Sequence, residues 1–280
     1  MTLAPAGFVT RFAPSPSGLL HRGHAYSALI AHDAAKDAGG RFLLRIEDID
    51  TARCRQEFAE AIFEDLAWLG LAWEAPVVFQ SARAEAYARA LQSLRERGLL
   101  YRCFRTRAEV LDEIARAPHA PQAPFFGAPP DPGEEARRLA EGAPFAWRLS
   151  LDAAEAALGG FGGLTFVDEA LGEIAAGPRR AGDVVLARKD VGVSYHLAVT
   201  VDDAGAGVTC VIRGEDLLEA CHIQRLLQAL LGLPTPSYRH HPLILRPDGK
   251  RLAKRDSAET LRSLRAAGMT PDRLREVLGV

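Results

Sequence analysis

An apolar run that begins at Phe8 is cut off by Pro14-Ser15-Pro16-Ser17-Gly18, and no other feature of this 280-residue chain constrains its architecture so tightly. Proline has no backbone N–H and pushes the residue before it out of helical geometry. Phe8-Val9-Thr10-Arg11-Phe12 therefore reads as a buried strand that must turn. After the turn, 23–37 has helical composition and stops at Gly39-Gly40, a C-terminal helix signal. Arg41 to Glu47 is strand-like through Phe42, Leu43, Leu44 and Ile46, and helix-like runs follow at 56–69 and 83–97. Strands alternating with helices predict a mostly parallel sheet with ligands outside the carboxyl ends of its strands.

Beyond Leu100 the character changes, with a proline-rich stretch at 118–132, a glycine-rich one at 159–163 and short strand candidates at 145–149 and 164–167. Strands are expected again at 183–187, 195–201 and 208–212, then a helix over 217–231 ended by Gly232 and Pro234. A last strand at 241–245 would deliver a basic loop, and helices at 258–267 and 271–278 would close the chain. The expected fold is α/β: a Rossmann-type parallel-sheet nucleotide-binding domain (1–99 and 182–238) split by an inserted α+β subdomain (100–181), with a loop and small helical C-terminal extension (239–280). A hydrophobic content of 48% supports a sizeable core. No apolar stretch approaches the ~20 residues needed to span a bilayer, and no secretory leader pattern precedes Phe8. The four cysteines, Cys54, Cys103, Cys210 and Cys221, lack paired spacing. These features predict a cytoplasmic protein with reduced thiols and no membrane association.

Two motifs far apart carry chemistry together. His21-Arg22-Gly23-His24 lies where a helix begins, and its glycine lets a nucleotide approach the backbone at a point that attracts anions. Arg251-Leu252-Ala253-Lys254-Arg255 offers a basic loop for a departing pyrophosphate, so the pair suggests adenylyl transfer. A net charge of −2 gives no global pull toward nucleic acid, yet 239–280 holds ten Lys and Arg against five Asp and Glu. An arginine fork at Arg11 suits a carboxylate, and Glu47 in Arg45-Ile46-Glu47-Asp48-Ile49-Asp50 suits an ammonium; together they describe an amino acid. Read alone, Glu47, Asp48 and Asp50 fit better as a capping and turn cluster, Arg11 and Arg213 as structural ion pairs, and Tyr195 as a core aromatic.

Arg11-Phe12-Ala13-Pro14-Ser15-Pro16-Ser17-Gly18, His21-Arg22-Gly23-His24 and 45–50 resemble the start of glutamyl-tRNA synthetases. Tyr195-His196-Leu197-Ala198-Val199-Thr200-Val201-Asp202-Asp203 and Val211-Ile212-Arg213-Gly214-Glu215-Asp216-Leu217-Leu218 are similar to the second half of that catalytic domain. The 251–255 run resembles the second class I synthetase signature. The resemblance implies a glutamate pocket of Arg11, Phe12, Ala13, Pro14, Ser15, Glu47, Tyr195 and Arg213. Arg11 would take the side-chain carboxylate and Glu47 the α-ammonium. It implies an ATP site of His21, Gly23, His24, Lys250, Arg251 and Lys254, with Mg²⁺ accompanying ATP and with His21, His24 and Lys254 acting in the chemical step.

The chain ends about twenty-five residues past Lys254, which points to the truncated branch, the glutamyl-queuosine tRNA(Asp) synthetases. That family transfers activated glutamate to the queuosine base in the anticodon of tRNA(Asp). The expected partners are glutamate, ATP and queuosine-bearing tRNA(Asp), whose backbone would meet the basic tail and Arg137, Arg138, Arg179 and Arg180; a monomer is expected. Members often bind zinc in the inserted subdomain through a Cys-x-Cys pair and a later Tyr and Cys. Here Cys103 stands alone, Arg105 takes the second cysteine's place, 125–130 offers neither residue, and His119 cannot complete a four-ligand site, so zinc is not expected. The rival readings are a minimal glutamyl-tRNA synthetase charging a tRNA 3′ end, a nucleotidylyltransferase sharing the His-x-Gly-His pattern, and a non-catalytic glutamate- or nucleotide-binding regulator.

Overall fold

A computed structural model describes residues 7–106, 108–110, 124–188, 192–244 and 259–280. The first half runs β1 (Val9–Phe12), α1 (Arg22–Asp37), β2 (Arg41–Ile46), α2 (Gln56–Trp68), β3 (Glu74–Phe79) and α3 (Ala84–Glu96). Next come β4 (Leu100–Cys103), α4 (Pro132–Ala140), β5 (Ala146–Leu149), α5 (Leu151–Leu158), the hairpin β6 (Thr165–Asp168) and β7 (Gly172–Ala175), β8 (Val185–Arg188) and β9 (Gly192–Val193). The remainder is α6 (Tyr195–Gly205), β10 (Cys210–Gly214), α7 (Ala220–Leu231), β11 (Ser237–His241), α8 (Leu261–Ala266) and α9 (Pro271–Leu278).

β1, β2 and β3 form one parallel sheet, and β10, β11 and β6 another. Thr209 N donates to Val9 O at 2.9 Å, laying the start of β10 beside β1, so segments far apart in sequence meet at that strand. Every residue of β1 is buried, as a strand covered on both faces requires. Gly40 fixes the β1–β2 register: a Cβ there would sit 2.2 Å from Phe8 O, and without one Arg41 N donates to that oxygen at 2.8 Å. Leu261, Leu264 and Leu274 bury themselves in the same core as α1, α2, β1 and β2, which anchors the C-terminal helices to the first half.

The expected α/β architecture is present, with differences in its parts. The 195–201 segment is helix, not strand. Its Tyr195, Val199, Thr200 and Val201 favour strands by type. However, Ser194 caps the segment by accepting from Leu197 N at 3.5 Å, and burial of 197–200, Asp202 and Asp203 leaves no single polar face to read. The last described strand is β11, ending at His241 where a strand was expected to begin. Strand pairing also divides the insertion differently from a boundary at 181. β8 and β9 lie in the antiparallel β4–β5–β8–β9 sheet, whereas the β6–β7 hairpin joins the β10–β11 sheet with Asp168 opposite Tyr238. No described helix is long and apolar enough to cross a membrane.

Candidate active site

A cavity of about 520 Å³ opens at the carboxyl ends of β1, β2 and β10. Its lining brings together Arg11, Phe12, Ala13, Pro14 and Ser15 from β1 and its turn, His21, Gly23 and His24 from the start of α1, Glu47 after β2, Tyr195 from α6 and Arg213 from β10. Sequence reasoning missed Tyr26, Ser27, Asp216 and His241, which also line it. Ser27 had a signal, lying one helical turn beyond Gly23; its Oγ donates to Gly23 O at 3.2 Å and sits 2.8 Å from His241 Nε2.

The two histidines cap α1 reciprocally. His21 Nδ1 accepts from Gly23 N at 3.1 Å and His24 Nδ1 accepts from His21 N at 3.1 Å, with ring centroids 3.8 Å apart. Accepting at Nδ1 puts the proton of each neutral ring on Nε2, so both rings are N–H donors at the positive end of a helix. A Cβ on Gly23 would press within 3.1 Å of the His21 ring, which explains the glycine between them. Lys250, Arg251 and Lys254 lie outside the described residues. On either side of that stretch, Leu243 and Ile244 line the cavity and Thr260 bridges to His21.

The arginines differ in their partners. Arg11, expected to face a substrate carboxylate, forks onto Asp203: Nε to Oδ1 at 3.0 Å and Nη2 to Oδ2 at 3.3 Å. Arg45 Nη1 reaches the same Oδ1 at 2.5 Å and its Nη2 reaches Glu47 Oε1 at 3.0 Å. Burial would push the Asp203 carboxyl up, but Arg11 and Arg45 outweigh it and hold it at about 2. Burial does win at Glu47, whose carboxyl is raised despite Arg45. The neighbouring Asp202 accepts from Gln80 Nε2 at 2.8 Å, Arg83 Nε at 2.5 Å and Tyr87 Oη at 2.7 Å. Adjacent on helix α6, the two carboxylates diverge by only about 100°, so each keeps its own partners while Arg45, bound to Asp203, also comes within 4.0 Å of Asp202 Oδ2.

Arg213 is only 6% exposed, and among the described residues none of its hydrogen-bond partners is a carboxylate. Nε donates to His240 Nε2 at 3.2 Å, Nη1 to Tyr195 Oη at 3.4 Å, and Nη2 to Leu217 O, Cys221 Sγ and Gln224 Oε1 at 3.0, 2.9 and 3.0 Å. A buried cation with neutral partners on a cavity wall is chemically able to receive an anion.

In the insertion, Asp183 accepts from Tyr101 Oη at 2.9 Å and from Gly127 N and Leu151 N at 3.0 Å each. Arg148 stacks on Phe125 at 4.5 Å, and Arg105 lies 5.8 Å from the same ring. Among the described residues, no group of three His, Cys, Asp or Glu is placed to hold a metal ion. Arg137, Arg138 and Arg179 are paired with Glu141, Glu134, and Asp152 and Glu155, so their charge is largely neutralised locally.

Residues 8–279 match the family described as tRNA synthetases class I (E and Q), catalytic domain. A Rhodobacter capsulatus protein named Glutamyl-Q tRNA(Asp) synthetase is 47% identical over 97% of this chain and 100% of its own length. A Symbiobacterium thermophilum protein of that name is 46% identical over 94% of this chain and 82% of its own. The solved glutamate tRNA ligase of Elizabethkingia meningosepticum superimposes with a TM-score of 0.73 at 31% identity, covering 89% of this chain and 52% of the ligase. The chain thus spans about half the length of that ligase and the full length of the Rhodobacter protein.

Proposed function

The chain belongs to the class I tRNA synthetase family of E and Q catalytic domains, and from that premise we propose that it activates glutamate with ATP and transfers it to the queuosine base of tRNA(Asp). The observation that carries the amino-acid assignment is Arg213, a buried guanidinium with no carboxylate partner among the described residues, on the cavity that also holds the His21–His24 helix start. Glutamate's side-chain carboxylate supplies the missing anion. An uncharged amide would leave the cation unpaired, which favours glutamate over glutamine. With the Arg11 fork on Asp203, Arg213 and Tyr195 hold the side-chain carboxylate, Arg11 adds positive field to the pocket, and Glu47 takes the α-ammonium.

An oxygen of glutamate's α-carboxylate then attacks the α-phosphorus of ATP as the bond to the bridging oxygen breaks and pyrophosphate leaves. The Nε2–H groups of His21 and His24 and the N-terminus of α1 stabilise charge growing on the phosphoryl oxygens. Lys254, with Lys250 and Arg251, neutralises pyrophosphate. Mg²⁺ arrives with ATP as the counter-ion of its phosphates. Transfer to the base releases AMP. The names of the relatives matched over most of their length support base modification over 3′-end charging.

The test offers ATP, Mg²⁺ and labelled glutamate with tRNA(Asp), with or without queuosine, each lacking its 3′-terminal adenosine. Label on the queuosine form alone supports the proposal. Label only on intact tRNA(Glu) makes the chain a small conventional synthetase instead.

A further inference from the structure

Arg213 is held from behind by a second pair of residues. Asp168 at the end of β6 is 1% exposed, and its Oδ1 accepts from Ala170 N at 3.0 Å and Leu171 N at 3.1 Å. Its Oδ2 lies 2.7 Å from His240 Nδ1 and accepts from His240 N at 3.3 Å. The other ring nitrogen, His240 Nε2, accepts from Arg213 Nε at 3.2 Å. These contacts fit a single proton arrangement. Arg213 Nε carries a hydrogen and cannot accept, so His240 Nε2 must be bare, the ring neutral and its proton on Nδ1, donated to Asp168.

The geometry points to Asp168 and His240 as a positioning relay that locks Arg213 in the orientation receiving the glutamate side-chain carboxylate; this rests on the proposed role of Arg213. A protonated His240 would set N–H against N–H and push the guanidinium away. Burial, Arg213 from β10 and His241 beside the ring oppose a charge on it and outweigh Asp168 from β6, which alone favours one; Cys221 Sγ lies 3.7 Å away on α7 and Tyr238 stacks at 6.0 Å on the same strand. The relay also separates charge. Asp168 counters Arg213 through a neutral ring, so it supports the cation without occupying the donors that face the cavity. The long-range strand pairing makes this possible, because β6 joins β11 with Asp168 beside Tyr238, two residues before His240.

The sharpest probe is Asp168→Asn, which keeps size and an acceptor for the backbone N–H groups but turns a donor toward His240 Nδ1. The ring must then carry its proton on Nε2, facing Arg213. In glutamate-dependent pyrophosphate exchange, we expect the KM for glutamate to rise about 10-fold or more, the scale of one lost hydrogen bond to a charged group, with the KM for ATP unchanged. His240→Gln, whose side-chain oxygen can accept from Arg213 Nε, should recover most of what His240→Leu loses. Nitrogen-15 spectra of histidine-labelled wild-type protein, with the His240 signal identified by its loss in His240→Gln, should show the Nδ1–H tautomer. An Nε2–H or doubly protonated ring overturns the relay, as does an unchanged glutamate KM in folded Asp168→Asn protein or equal behaviour of the Gln and Leu variants. Wild-type protein that fails to exchange with glutamate instead refutes the substrate reading, and the spectra still decide the relay.

Discussion

Arg11 donates from Nε to Asp203 Oδ1 at 3.0 Å and from Nη2 to Oδ2 at 3.3 Å, a fork that joins the first strand to a helix 192 residues later. Arg45 shares the same carboxylate, so Asp203 ties β1, β2 and α6 beneath the cavity. Removing it leaves two buried guanidiniums short of an anion. Asp203→Ala should therefore lose about 3–5 kcal/mol of stability by urea unfolding at pH 7. The folded carboxyl is held at about 2 against an ordinary 3.8, so this stabilisation is present above pH 4 and fades as pH falls toward 2. A loss below about 1 kcal/mol would mean that the network is dispensable.

Glu47 gives the substrate pocket its own pH dependence. Burial raises its carboxyl above 4.5 in the absence of substrate, and only the ionised form attracts an ammonium. As pH falls through that raised value Glu47 takes up a proton, so the KM for glutamate should climb in acid sooner than an ordinary carboxylate would cause. Glu47→Gln should have a high KM throughout and a flat profile over that range. A wild-type profile matching the variant's would remove Glu47 from ammonium binding.

Much of this site was legible because its residues are near neighbours in sequence: the β1 strand, the proline turn and the His-x-Gly-His start of α1 occupy one short stretch, and Glu47 closes the next strand. The Asp203 fork and the Asp168–His240–Arg213 contacts were not, since they depend on which distant strands become neighbours. The misread 195–201 segment shows the same limit. Its β-branched residues favour a strand locally, whereas the Ser194 cap and burial on nearly all sides make a helix, and that helix decides where Asp202 and Asp203 point. In the insertion, the Asp183 hub was not legible either, because its partners come from three separate segments.

Lys254 tests the second motif separately from glutamate recognition. If its ammonium neutralises departing pyrophosphate, Lys254→Ala should lose about 100-fold or more in pyrophosphate exchange, the scale of one transition-state charge contact. Glutamate binding measured by calorimetry should stay within about 3-fold of wild type, since one charge contact to the nucleotide leaves the amino-acid pocket intact. Unchanged exchange would end this role for Lys254.

Asp183 should act as the main cross-link of the insertion. It gathers β4 through Tyr101, the 124–130 segment through Gly127 and the start of α5 through Leu151. Asp183→Ala strands three donors and should lower stability by about 2–4 kcal/mol, with faster proteolysis near Phe126. A strong zinc chelator should leave the wild-type melting temperature unchanged. A chelator-induced drop would show that a metal shares the work.

Asp65 on α2 is a place where the fold is strained by charge, and it can be relieved. The carboxylate is 1% exposed, neither oxygen has a hydrogen-bond partner among the described residues, and Arg265 Nη2 approaches no nearer than 3.9 Å. Burial raises it to about 6, with Arg265 and Arg262 only partly opposing. An acid whose folded value exceeds its unfolded 3.8 binds its proton more tightly when folded, so stability falls as pH rises from about 4 to 6 and stays lower above that. The penalty at pH 7 is on the order of 2 kcal/mol. Asp65→Asn, which cannot ionise, should raise the melting temperature at pH 7 and have little effect at pH 4. Melting curves of both proteins across that range decide it: parallel pH dependences would show that Asp65 is already neutralised by the arginines of α8.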